Sequence, residues 1–124
     1  DPAAAGSFLP PHPPRSRDLI FLFTQCIKAW RGIGWCSFIS RKYEQAMKYY
    51  EKIIEQKPLA IDYMNAGHVA WTMGDIQKAA ALYGKSITAN GNRERFLEMF
   101  RKDKEALLKQ GIQEEDIPLM LDLL

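Results

Sequence analysis

From Ser16 onward, apolar residues recur at steps of three and four, the spacing of one face of an α-helix, and breaks fall about every fifteen residues. Residues 41–56 show it best: Tyr43, Ala46, Tyr50, Ile53 and Ile54 share a face, Ser40 is placed to cap the helix, and Lys57 and Pro58 end it. A helix over Ile61–Met73 is expected to stop at Gly74, and Asp75 to cap the next over residues 76–89. Asn90 and Gly91 break the pattern again. One longer helix over residues 93–110 follows, closed by Gly111, and then a short one within residues 114–124 with Asp116 as cap and Pro118 in its first turn. Ahead of all these, Ser16 or Asp18 can cap a helix that starts in the run LIFLF (19–23) and continues through Trp30. No useful stretch alternates with period two, so the expected class is all-α.

The same residue types return after thirty-three positions. Setting residues 27–59 against 60–92 pairs Gly34 with Gly67, Ala46 with Ala79, Tyr50 with Tyr83, Lys52 with Lys85 and Ile54 with Ile87. Trp30 then faces Tyr63, and Phe38 faces Trp71. A period of this length marks a stacked array of helix pairs, in which each unit leaves an apolar face that only a neighbour covers. Small residues let helices approach closely, so Gly34 with Ala46, and Gly67 with Ala79, are expected at the crossing points, with Tyr50 and Tyr83 filling the space between one pair and the next.

The order large aromatic, Gly, small turn residue, aromatic, Ala, aromatic, Pro resembles the tetratricopeptide repeat. In the first unit Trp30, Gly34, Tyr43, Ala46, Tyr50 and Pro58 stand at those positions; in the second, Tyr63, Gly67, Gly74, Ala79 and Tyr83. Arg41 departs from the small residue at the turn, and Gly91 from the proline. The resemblance implies an antiparallel helical-hairpin right-handed superhelix of two repeats, with an N-terminal helix and C-terminal capping helices over 93–124. It also implies a non-catalytic protein-binding role. The first helix of each unit would line a concave groove, putting Lys28, Arg31, Trp35 and Phe38 beside Ile61, Met64, Asn65, His68 and Trp71. A peptide or a partner's helix is the expected occupant, with Arg31 pairing to an acidic group. Trp35, Phe38 and Trp71 packing as core is the alternative, because aromatic stripes at helical spacing also build cores. Arg31 and Asn65 suit a carboxylate clamp, but Trp35 stands where such a clamp needs Asn.

Composition removes other classes. Seventeen basic and fifteen acidic residues give a net charge of +2, too small a field to draw nucleic acid or an anionic membrane. Cys26 and Cys36 are too few for a disulfide framework and are expected reduced and mostly buried. His68 has no partner at metal spacing, and the acidic clusters Asp103 with Glu105 and Glu114–Asp116 read as exposed turns. No nucleophile, base and oxyanion donors can be assembled, so no enzyme, metal or cofactor is expected. Residues 1–15 hold five prolines and are expected to form an extended or disordered leader before a helical domain over 16–124, with FLPPHPP (8–14) a polyproline-type segment able to enter an aromatic groove. LIFLF lacks a cleavage pattern and is too short to span a bilayer, so a cytoplasmic location is expected. The rival function is self-assembly into a homo-oligomer through uncovered end faces, in particular the first helix and the terminal PLMLDLL.

Overall fold

The computed structural model describes residue 13 and residues 15–124, and the leader, including FLPPHPP, lies almost wholly outside the described residues. From Ser16 the chain forms α1 (Ser16–Ile39), α2 (Tyr43–Gln56), α3 (Ala60–Thr72), α4 (Ile76–Asn90), α5 (Arg93–Lys102), α6 (Lys104–Lys109) and α7 (Asp116–Asp122), with no strand among the described residues. The all-α, hairpin-repeat expectation is met.

The two units are built alike down to the turn. After α1, the amides of Ser40, Arg41 and Lys42 donate to the carbonyls of Cys36, Phe38 and Ser37; thirty-three residues later those of Met73, Gly74 and Asp75 donate to Val69, Trp71 and Ala70. The two turns differ by no more than 0.1 Å in each of these distances. Both need one residue in the left-handed region, which is Gly74 at φ 86° in the second unit and Arg41 at φ 64° in the first. The departure at Arg41 is therefore absorbed by a strained backbone in an unchanged turn.

Boundaries shift in three places. The leading helix does not stop at Trp30 but runs unbroken to Ile39, so it and the first helix of the first unit are one element. Ser40 closes α1; α2 starts after Lys42, without a side-chain cap. The single helix expected over 93–110 breaks at Asp103, and Asp116 is the first residue of α7, with Glu115 before it. Asp75 caps α4 as expected, accepting from the Lys78 amide, and Asn92, not among the expected caps, caps α5 by accepting from the amides of Glu94 and Arg95.

The glycines explain the packing. A Cβ on Gly34 would lie 3.0 Å from Cζ of Tyr50, and one on Gly67 would lie 2.6 Å from Cε1 of Tyr83. The two glycines thus have equivalent surroundings, as the repeat requires. The atoms nearest each, however, belong to the tyrosine ring and not to Ala46 or Ala79. A ring laid across the helix needs more room than a methyl group, and only glycine leaves it. Ala46, Tyr50, Ala79 and Tyr83 are all fully buried, while Trp30 and Tyr63 pack at the core margin with Lys52 Nζ 4.9 Å from the Trp30 ring centroid.

Candidate protein-interaction surface

Residues at steps of three and four put one face of α1 and one face of α3 side by side. The C-terminal half of that concave face is covered by the chain itself. Phe38, Met64 and His68 are fully buried and Trp71 retains 6% exposure. The cover is α5 and α6. Phe100 stands edge-on to His68 with ring centroids 5.5 Å apart, and Leu107 is fully buried. At the end of α6, Gln110 accepts from the Tyr43 hydroxyl at 2.6 Å, the Lys109 carbonyl accepts from Arg41 at 3.3 Å, and the Gln110 amide donates to the Ile39 carbonyl at 3.5 Å. The C-terminal segment thus reaches from the second hairpin to the turn of the first.

His68 is the central polar link. Its Nδ1 lies 2.6 Å from the Tyr83 hydroxyl and its Nε2 lies 2.9 Å from Asp103 Oδ2. Burial, with Asp103 nearby, pushes the Tyr83 phenol well above its ordinary range, so Tyr83 keeps its proton. The imidazole thus bridges a protonated phenol on α4 and a carboxylate at the end of α5. This fixes the end of α5 on α3. Phe38, Met64 and His68, expected to line an open groove, are consequently core, and Trp71 nearly so. Asp103, expected on a solvated turn, is the partner of a buried ring.

Arg31 is also committed internally. Its Nε and Nη2 donate to the two carboxylate oxygens of Asp62 at 2.7 and 2.8 Å, and Asp62 Oδ2 also accepts from the Leu59 amide at 2.7 Å. Asp62 is fully buried, and the bidentate pair raises the Arg31 pKa further. The expected role of Arg31 in pairing with a partner's acid is therefore taken by the chain's own carboxylate. An Asp three residues into α3, able to cap the helix that Leu59 precedes, was the available signal for Asp62.

The N-terminal half of the face is open. Lys28 is exposed, Trp35 and Asn65 are half-buried, and Arg31 keeps 26% side-chain exposure. Trp35 packs on Phe38 at 5.4 Å between centroids, so its indole rests on core while its outer edge meets solvent. Beyond this region α1 continues past its neighbours. Every residue from Ser16 to Cys26 is exposed, a length of about 16 Å at 1.5 Å per residue. It carries Leu19, Ile20, Phe21, Leu22 and Phe23 at 40–66% exposure. Cys26 and Cys36 are free and exposed, not buried as expected. Among the described residues no helix is long and apolar enough to cross a membrane, and no group of three or more His, Cys, Asp or Glu side chains converges.

Comparison with known families matches the family model for the tetratricopeptide repeat to residues 23–58 and 63–93, slightly more than half of the chain. Searches of curated proteins and of solved structures found no match.

Proposed function

We propose that this chain, which belongs to the tetratricopeptide repeat family, is a non-catalytic scaffold that receives a protein segment on the open N-terminal half of its concave face. Repeats of this family generally mediate protein–protein interaction. Trp35 carries the reading: a half-buried indole, backed by Phe38, with the exposed Lys28 two turns earlier on the same face of α1. Rigid aromatic area beside a cation is what interface anchors are made of. A short segment pairing an apolar side chain with an acidic one fits. Because α5 and α6 occupy the rest of the groove, the occupant is short.

The test starts with a partner isolated from the source cell's lysate and identified by mass spectrometry. Trp35→Ala with Lys28→Glu is expected to weaken its binding at least tenfold with an unchanged helical circular dichroism spectrum. Unchanged affinity in a folded double variant overturns the reading. A second reading, self-assembly through end faces, is favoured by the uncovered apolar turns of α1.

A further inference from the structure

A second apolar surface lies away from α1. Where the α3–α4 turn meets α7, Trp71, Ile76, Leu119, Met120 and Leu123 line an open cleft of about 480 Å³, and Asp116 and Asp122 stand in the same lining. Leu119 and Leu123 are 63% and 61% exposed and Ile76 is 50% exposed. No α1 residue contributes to this cleft. The overhanging turns of α1 offer the complement: five consecutive large apolar side chains, preceded by the exposed Arg15, Arg17 and Asp18.

We infer that the α1 overhang of one copy docks in the Trp71–Leu123 cleft of a second copy, joining molecules head to tail. Two features favour this occupant. The charges oppose: Arg15 and Arg17 outweigh Asp18 at the start of the helix and two aspartates line the cleft, whereas two α1 helices meeting each other would leave the cleft uncovered and its acids unanswered. The surfaces also match in kind: Ile76, Leu119 and Leu123 are the exposed apolar residues of the cleft, and about half of the five on the helix can face it at once, which makes a weak, concentration-dependent contact. Such a contact is heterologous, because the two surfaces differ, and each copy retains one free donor and one free acceptor end. The inference develops the self-assembly reading and is independent of the Trp35 surface.

Complementation between two single-end variants tests it. Phe21→Asp disables the helix end and Leu123→Asp the cleft end; both positions are exposed, so circular dichroism is expected to stay that of the parent. Sedimentation velocity over a range of concentrations is expected to show parent protein growing through dimers to longer species, and each variant alone remaining monomeric, with association weakened at least tenfold. Mixed in equal amounts, the two variants are expected to form a dimer and nothing larger, because one intact helix meets one intact cleft. If Phe21→Asp abolishes association while Leu123→Asp leaves it intact, the contact is helix to helix; self-assembly then stands and the head-to-tail geometry falls. A parent protein monomeric at every concentration overturns both. A monomer that instead sediments with anionic phospholipid vesicles, and loses this with Phe21→Asp, assigns the overhang to a membrane surface and also overturns the inference.

Discussion

Gly67 and Gly34 hold the same place in successive units but do not have the same latitude, and replacing each by alanine measures the difference. At Gly67 the new methyl carbon would sit 2.6 Å from Cε1 and 2.7 Å from Cδ1 of Tyr83. Ordinary carbon contacts begin near 3.5 Å, so the ring must retreat by roughly 0.9 Å. It has nowhere to go. His68, Phe100, Phe96 and Trp71 surround it with centroids at 5.4, 5.5, 5.9 and 6.4 Å, and its hydroxyl is tied to His68. Overpacking of this kind costs about 1–3 kcal/mol, against a gain of roughly 0.5–1 kcal/mol from replacing a mid-helix glycine. Gly67→Ala is therefore expected to lose about 1–2 kcal/mol. At Gly34 the closest approach is 3.0 Å, and the Tyr50 hydroxyl has no hydrogen bond to break among the described residues. A shift about half as large suffices there, and the two effects nearly cancel. Urea titration and thermal circular dichroism, at roughly 3–5 °C per kcal/mol for a chain of this size, resolve the two variants. In a Tyr83→Leu background the obstacle is gone, and Gly67→Ala is expected to become neutral or stabilising. Finding Gly67→Ala at least as stable as the parent, or Gly34→Ala the more damaging, would refute this account of why glycine stands at these sites.

Other changes follow from the same packing. Arg41→Gly places the residue suited to φ 64° in the first turn and is expected to raise stability by about 0.5–1 kcal/mol in urea titration, less the loss of the exposed contact to Lys109. Arg31→Ala strands the fully buried Asp62 carboxylate and is expected to cost about 2–4 kcal/mol, while Arg31→Ala with Asp62→Asn recovers part of that. The tyrosines predict an alkaline limit. Burial raises Tyr50 and Tyr83 in the folded chain above the unfolded value near 10. The folded state then holds more protons above that pH, so the stability, fully present below pH 10, falls as pH rises, by about 1.4 kcal/mol per pH unit for each ring. Tyr50→Phe is expected to flatten that slope by one ring. Tyr83→Phe is expected to cost about 1–2 kcal/mol at pH 7 by breaking the contact to His68.

The hairpins were legible because their causes are local: a glycine where a ring must lie, a turn every thirty-three residues, an Asp or Asn ahead of a helix. Even the exception at Arg41 is visible as a mismatch in the repeat, though its resolution through a left-handed backbone is not. What sequence could not supply was the docking of α5 and α6 on the concave face. Phe96, Phe100 and Leu107 mark an apolar stripe, but a stripe does not say which surface it covers. The groove positions themselves held a clue, since Phe38, Met64 and Trp71 are more apolar than an open surface of that extent usually is. His68 and Asp103 stand thirty-five residues apart, outside any helical spacing, so their pairing could emerge only from the fold.

An array of helix pairs whose contacts run only between neighbours can open from either end, one unit at a time. Here the bonds joining Tyr43, Arg41 and Ile39 to Gln110 and Lys109 clasp the beginning of the array to its finish, across 67 to 71 residues of chain. Neither hairpin can melt without releasing that clasp, so amides from the second half of α1 through α6 should exchange with solvent in one concerted step. The first turns of α1, outside the clasp, should exchange much earlier.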